Sequence, residues 1–203
     1  MIAAEETYQT ITKPAEGLFK DRGSKFMAYA FPVFSESDIK LHLSALRKKH
    51  HSARHHCYAY RLGPEIYRAN DDGEPSNTAG KPILGQIQAN DLTNILIVVV
   101  RYFGGKLLGT SGLINAYRSA AADALDNAEI ITKTVNDIYE ITFDYAVMND
   151  VMKIIKQENL KQSDHDYQSK CKLILAIKRN KSDRIFVELK KSCNIGVKYL
   201  RTE

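Results

Sequence analysis

The segment ILIVVVRYFGGKLLGTSG, residues 95–112, decides how the larger part of this chain folds. It begins with six aliphatic residues, five of them β-branched, which is the pattern of a strand buried on both faces. Four glycines follow within nine residues, and beyond them Leu113, Tyr117 and Ala121 recur at helical spacing. The segment therefore predicts a buried strand, a tight turn and a long helix.

Several polar residues of the same segment stand at the predicted turn. Gly104 and Gly109 have the spacing of a P-loop, but the lysine that should follow the second glycine is missing. A plain strand-to-helix turn, with glycines adopting positive φ, is one interpretation. We favour an anion-binding surface at the helix N-terminus, formed by Arg101, Tyr102, Gly104, Gly105, Lys106, Gly109 and Thr110.

Earlier in the chain, Ser24–Phe34 predicts a strand and His55–Leu62 a second one. Between them, Ser35 and Asp38 resemble a capping box that opens a helix. Ile39, Leu43 and Leu46 then give this helix one apolar face.

Arg54, His55, His56 and Cys57 stand at the start of the second strand. Successive strand residues point to opposite faces, so the two histidines do not chelate one ion without a bulge. Two interpretations remain: histidines at a sheet edge beside a buried cysteine, or an arginine and histidines that bind a phosphate or carboxylate. We find no nucleophile and base pair here, because neighbours on a strand are poorly placed for one.

Residues 70–75, NDDGEP, carry the acidic side chains of Asp71, Asp72 and Glu74. A calcium loop is excluded, because its twelfth position is Lys81 or Pro82 and neither supplies a carboxylate. Two interpretations remain: a turn, or an acidic motif placed to meet Arg54 or Arg101. We favour the turn, with an internal salt bridge.

Residues 78–82, TAGKP, begin a short helix. Thr78 and Pro82 suit the cap and the first turn. With Gly80 and Lys81, Thr78 also suits an anion site at the helix N-terminus. Both interpretations stay open at the level of sequence.

The last seventy residues predict a ferredoxin-like β-α-β-β-α-β domain. We place the domain boundary near residue 132, which gives domains 1–132 and 133–203. The predicted strands are Thr134–Tyr145, 162–168, 171–178 and Ile195–Leu200, and the predicted helices are Ala146–Glu158 and Ser182–Cys193.

The composition is that of a soluble globular protein, with 203 residues, 44% hydrophobic and 26% charged. No aliphatic run approaches the roughly 20 residues that span a bilayer. Three scattered cysteines indicate a reducing compartment. We therefore expect a cytoplasmic protein with no membrane partner, cofactor or metal. Of the net charge of +5, most belongs to residues 133–203, which hold 14 Lys+Arg and 10 Asp+Glu.

Taken together, three segments resemble the YigZ/IMPACT family. They are residues 54–57, residues 71–82 and residues 98–113, in this order. The resemblance covers roughly residues 15–130 and rests on specific motifs; the remaining residues resemble the second domain of bacterial YigZ-type members by element order.

The resemblance implies an α+β protein of two domains. The first is an α/β domain similar to the second domain of a small-subunit ribosomal protein, and the second is ferredoxin-like. The pair looks like domains IV and V of elongation factor G, which implies contact with RNA or the ribosome. The resemblance implies that eukaryotic members regulate translation initiation by competing for a kinase coactivator, their partner, through an additional N-terminal domain. We expect no such domain here, because the first strand begins almost at once, and we do not transfer its partner.

Three functional hypotheses follow. The first is a non-enzymatic RNA- or ribosome-associated protein, with an anion-binding face aided by basic residues of the second domain. The second is a metal-assisted hydrolase of a phosphate or small anion, which would use His56, Asp71, Asp72 and Glu74. The third is a protein-interaction module whose loops form the epitope. We favour the first, so an enzyme is the less expected outcome.

Overall fold

The computed structural model describes residues 7–63, 65–167, 171–192 and 195–202. The chain divides into two compact units between Lys133 and Thr134. One comprises Gln9–Lys133, and the other comprises the described residues from Thr134 onward together with Thr7 and Tyr8. The mixed α+β class predicted from the sequence is confirmed.

Three helices and a five-stranded sheet build most of the larger unit. The sheet has the order β2-β3-β6-β4-β5, and each pair of neighbouring strands is antiparallel. β1 and β7 form a separate two-stranded sheet. The elements are β1 (Thr7–Ile11), β2 (Ala15–Asp21), β3 (Ser24–Pro32), α1 (Glu36–Lys49), β4 (His55–Leu62), β5 (Ile66–Asn70), α2 (Gly80–Ala89), β6 (Ile95–Tyr102), α3 (Gly109–Asp126) and β7 (Ile130–Thr134).

β6 is the central strand, and its aliphatic residues are buried on both faces. Ile97 and Val99 join the core beneath α2 and α3, whereas Val98 and Val100 join the core beneath α1. The buried strand and the long helix predicted from residues 95–125 are confirmed.

α1 begins as predicted, because the Ser35 hydroxyl accepts the N–H of Asp38 at 3.2 Å. The Asp38 carboxylate in turn accepts the N–H of Phe34 at 3.0 Å, one residue before the capping-box position. The sequence missed β1, β2, β5 and β7. β5 illustrates the reason: it is an edge strand with four exposed residues and therefore no apolar alternation.

The smaller unit follows the predicted β-α-β-β-α-β order. Its sheet has the order β11-β8-β10-β9, with antiparallel neighbours. The two helices pack on one face, where Ile141, Leu173 and Ile155 lie in the core. The elements are β8 (Asn136–Phe143), α4 (Met148–Gln157), β9 (Lys161–Tyr167), β10 (Cys171–Lys178), α5 (Ser182–Ser192) and β11 (Gly196–Thr202).

One predicted strand of this unit is corrected. The single strand expected over Thr134–Tyr145 is broken at Val135, where β7 ends and β8 begins. There the carbonyl of Val135 accepts the N–H of Arg179 at 3.2 Å. Residue 168 and Cys193, the ends predicted for a strand and a helix, lie outside the described residues.

Where the chain is described, its helices are too short or too polar to span a membrane.

Candidate functional site

The acidic loop, residues 71–79, connects β5 to α2 and turns its first carboxylate inward. Asp71 Oδ1 accepts the N–H groups of Ala79 at 3.0 Å and Gly80 at 2.8 Å. Oδ2 of the same side chain accepts the N–H of Asn77 at 2.9 Å. A carboxylate in this position satisfies free helical N–H groups and interacts favourably with the helix dipole. Asp71 is therefore an internal cap of α2.

The prediction that Thr78 caps α2 is wrong. Its buried hydroxyl donates instead to the carbonyl of Pro75 at 2.6 Å, and Asp71 occupies the N–H groups that a cap would bind. Gly80 is buried against Asn70, where a Cβ would lie 2.5 Å from the backbone nitrogen. Pro82 lies in the first turn as predicted, and Lys81 is exposed.

Asp72 ties the acidic loop to the start of β4. Its Oδ2 accepts the N–H of His56 at 2.7 Å, and its Oδ1 accepts Arg47 at 3.1 Å. Its backbone carbonyl lies 2.9 Å from Nδ1 of His55. The second acidic side chain is thus bound to protein groups as well.

Glu74 forms a buried ion pair with Arg101. Its Oε1 accepts Arg101 at 2.5 Å and the hydroxyl of Tyr117 at 2.8 Å, and the two charged side chains are only 3% and 7% exposed. Nε2 of His55 lies 4.0 Å from the same oxygen. This is the internal salt bridge that the sequence predicted, with Arg101 rather than Arg54 as the partner.

Cys57 lies in the same buried cluster. Its sulfur lies 2.9 Å from the carbonyl oxygen of Asp71 and 3.3 Å from the hydroxyl oxygen of Tyr117, and both oxygens are within reach of its single S–H proton. Burial raises the pKa of the Cys57 thiol far above its usual value, and burial likewise raises the pKa of Tyr117. A thiol in this state carries almost no thiolate at neutral pH, so it is not an activated nucleophile.

The two histidines of the motif point to opposite faces of the sheet, as predicted. His55 lies opposite Arg101 in the strand register and faces Glu74. His56 is buried on the other face, with Nδ1 3.9 Å from Asp72 Oδ2, and its Nε2 has no hydrogen-bond partner among the residues that the structure describes. Burial lowers the pKa of His56, and the Asp72 carboxylate opposes this shift.

Tyr102 also belongs to the face covered by α1. Its hydroxyl lies 2.9 Å from Nδ1 of His50, and the hydroxyl of Tyr29 lies 2.9 Å from Nε2 of the same ring. Burial is the main cause that lowers the pKa of His50. The Tyr102 side chain is therefore hydrogen-bonded to a buried histidine on the α1 face and does not lie with the side chains of the glycine loop.

The groups proposed for a metal-assisted hydrolase have other partners. Asp71 caps a helix, Asp72 binds Arg47 and a backbone N–H, and Glu74 binds Arg101. Among the residues that the structure describes, no three His, Cys, Asp or Glu side chains are arranged to hold a metal ion. The geometry offers no support for that hypothesis.

The glycine loop, residues 103–108, connects β6 to α3 and is anchored by Gly104. The N–H of Gly104 donates to the Ser24 hydroxyl at 3.1 Å, and a Cβ at Gly104 would overlap the backbone of Gly23 and Ser24. Gly105 and Gly109 have φ values of 81° and 72°, which favour glycine. Beyond this anchor, residues 105–107 are exposed, whereas Leu108 is buried in the core.

Three side chains of the glycine loop are exposed. Phe103 is 47% exposed, Leu107 is 83% exposed, and Lys106 between them is also exposed. The guanidinium carbon of Arg101 lies over the Phe103 ring, 5.6 Å from its centre. At the start of α3, Gly109 and Thr110 are exposed, and the N-cap residue Leu108 has an apolar side chain that forms no capping hydrogen bond.

Basic residues lie with this loop at one end of the sheet. β3 begins, β6 ends and β4 begins at this end, since Lys25 pairs with Tyr102 and His55 pairs with Arg101. The exposed cations here include Arg22, Arg54 and Lys106, with Lys25 half-buried. We call Arg22, Lys25, Arg54, Phe103 and Lys106 the sheet-end surface.

The structure thus separates the predicted site residues into two groups. Arg101, Tyr102, His56, Thr78 and Gly80 are buried or engaged inside the protein. Arg54, Lys81, Lys106 and the start of α3 remain at the surface. Arg22 and Lys25 were missed, although a positively charged hairpin turn at residues 20–25 is visible in the sequence.

Comparison with known proteins identifies the family. The model of the Impact N-terminal domain matches residues 22–125. An IMPACT family member of Haemophilus influenzae is 32% identical over 170 residues, which cover 82% of each chain. YigZ of Escherichia coli, also an IMPACT family member, is 36% identical over 150 residues, 72% of this chain and 74% of its own.

A solved structure is similar to this chain over most of its length. The crystal structure of a hypothetical protein has a TM-score of 0.75 and 28% identity, and the match covers 98% of this chain and 99% of that one. The resemblance noted in the sequence is confirmed, and the chain belongs to the IMPACT family.

Proposed function

We propose that this protein acts in translation by binding RNA, free or on the ribosome, through the sheet-end surface. The observation that carries the proposal is the distribution of charge around the two motif loops. The acids of the first loop face inward onto protein groups, whereas Arg22, Arg54 and Lys106 face solvent beside an exposed aromatic ring. Family membership supports the connection with translation that the sequence resemblance implies.

The inward acids matter because phosphate backbones are repelled by exposed carboxylates and attracted by exposed cations. Glu74 is neutralised by Arg101, and Asp71 by the N-terminus of α2. Asp72 is the most exposed of the three, with 26% of its side chain accessible, and it is paired with Arg47. The surface at this end of the sheet is therefore suited to a polyanion.

The experiment measures the salt dependence of RNA binding. Wild-type protein and an Arg54→Ala/Lys106→Ala double variant are titrated with a short unstructured RNA over a series of salt concentrations. Each lost phosphate contact lowers the slope of log K against log salt by about 0.7 for a single strand, so the double variant should lose about 1.4. Co-sedimentation with ribosomes at low and high salt tests the ribosomal form of the same interaction.

A matched control removes the same charge elsewhere. Lys13 and Lys40 are exposed, and they lie near the opposite end of the sheet, before β2 and in the first half of α1. A Lys13→Ala/Lys40→Ala variant should bind RNA with the wild-type slope. Equal slopes for all three proteins, or no binding to RNA or ribosomes at low salt, would contradict the proposal; RNase-resistant capture of a protein would favour the interaction module instead.

A further inference from the structure

The ring of Phe103 packs on a buried cluster of side chains. The Arg101 guanidinium lies over this ring and also over Phe26, at 5.6 Å and 5.4 Å from the two ring centres. Phe26 meets Tyr117 edge-on, with ring centres 5.1 Å apart. Glu74 holds the guanidinium at 2.5 Å. One side of the ring is therefore occupied by a fixed cation, while 47% of the residue stays exposed.

The backbone on either side of Phe103 is fixed as well. Tyr102 ends β6 and pairs with Lys25. Gly104 donates to Ser24 and packs against Gly23. A ring supported in this way has little conformational freedom to lose when a ligand arrives, and such preorganisation favours binding.

The neighbours of the ring indicate which ligand it suits. Arg22, Arg54 and Lys106 lie at the same end of the sheet, and each attracts phosphate. A flat apolar ring among cations matches a nucleotide, in which a flat base is attached to a charged backbone. In a duplex the bases stack on one another, whereas an unpaired strand offers its base faces to aromatic side chains.

We propose that Phe103 is a stacking platform for an unpaired base, so that the sheet-end surface binds single-stranded in preference to fully paired RNA. This inference rests on the proposed function and specifies its ligand. Phe103 contacts the base, Arg101 and Glu74 position the ring, and the exposed cations contact the flanking phosphates.

The test separates stacking from charge by using three probes: a short unstructured RNA, an abasic strand with the same number of phosphates, and a duplex. Wild-type protein should bind the base-bearing strand more tightly than the other two. Phe103→Ala should weaken binding of that strand roughly 5- to 150-fold, the loss typical of one base–aromatic stack. Binding of the abasic strand should be unchanged.

Two further variants make the test specific. Phe103→Trp keeps an aromatic face and should bind the base-bearing strand at least as tightly as wild type. Phe103→Leu keeps apolar area without an aromatic face and should behave like Phe103→Ala. Thermal unfolding of each variant verifies that the fold is retained, which is expected for a half-exposed side chain.

The outcomes distinguish this inference from the proposed function. If Phe103→Ala weakens both strands equally, or if Phe103→Leu binds like wild type, stacking is wrong although RNA binding stands. A wild-type protein that binds the duplex as tightly as the single strand also overturns the inference. If the wild type binds none of the probes at low salt, both the proposed function and this inference are wrong.

Discussion

The acidic loop and the glycine loop lie at the same end of one sheet, and they use their polar residues in opposite ways. In the acidic loop, Asp71, Asp72 and Glu74 bind backbone N–H groups and cations of the protein itself. In the glycine loop, the backbone is anchored through Gly104, while Phe103 and Lys106 extend into solvent. Two segments that both carry motifs therefore differ: the side chains of one bind groups of the protein itself, and side chains of the other are exposed to solvent.

This comparison predicts that substitutions in the acidic loop act on stability. Glu74→Ala should give the largest effect, because it leaves Arg101 buried without a counter-charge. Breaking a buried pair in this way costs about 3–5 kcal/mol in the free energy of unfolding. Urea unfolding of the variant and wild type measures the difference.

The control for Glu74→Ala is an exposed ion pair. Asp91 pairs with Arg61 at 3.2 Å, and its side chain is 84% exposed. Asp91→Asn should cost at most about 1 kcal/mol, because solvent screens such a pair. A loss at Glu74 no larger than that at Asp91 would remove the distinction between the two loops.

The glycine loop should respond to substitution of its anchor. Gly104→Ala places a Cβ into the backbone of Gly23 and Ser24, and overpacking of this kind costs about 1–3 kcal/mol. A Cβ at Gly85, inside α2, would have no described atom within 4 Å apart from those of its own helix. Gly85→Ala should therefore raise the free energy of unfolding, by up to about 1 kcal/mol. Thermal and urea unfolding measure both; a stabilising Gly104→Ala would show that the loop is not anchored there.

The smallest expected effect is a pH dependence of the free energy of unfolding that comes from the two histidines buried on the face beneath α1. Burial lowers the pKa of His50 and of His56 below the ordinary value, so the unfolded chain binds protons more readily than the folded one. The stability that depends on these neutral histidines is fully present above pH ~6.5, the pKa of the unfolded chain. It is lost as the pH falls below this value towards the lower pKa of the folded protein. Unfolding in urea at pH 7.5 and pH 5.5 should show the decrease.

Substitution identifies the groups responsible for that pH dependence. A His50→Gln/His56→Gln variant should lose less stability than wild type between the two pH values, although it starts from a lower stability. His51→Gln, at an exposed position, should keep the wild-type pH dependence. An unchanged pH dependence in the double variant would assign the effect to other groups.

Sequence reasoning succeeded where apolar periodicity is strong. β6, α3 and the β-α-β-β-α-β order of the smaller unit follow from runs and repeats that only one type of element satisfies. Edge strands such as β5 were not predicted, because their exposed residues show no apolar periodicity. Thr78 was a candidate for the cap because it stands next to the helix, whereas the cap is Asp71, nine residues before Gly80.

The site was predicted less completely than the fold. Arg101 was expected at an anion-binding surface, yet it is 6% exposed and paired with Glu74. The motifs therefore identified the residues of the region without identifying which of them face solvent. That distinction depends on Tyr117, which reaches Glu74 from α3 and closes the cluster.

By itself, the sequence determined the family, the two-domain α+β class and the segments that carry chemistry, because local periodicity, glycine content and motif order are properties of the chain alone. Only the tertiary structure decided that the acids face inward and that Phe103, Arg54 and Lys106 face outward. The physical reason is that burial and charge pairing depend on which strands and helices meet. The register of β4 against β6 sets His55 beside Arg101, and no local pattern specifies that register.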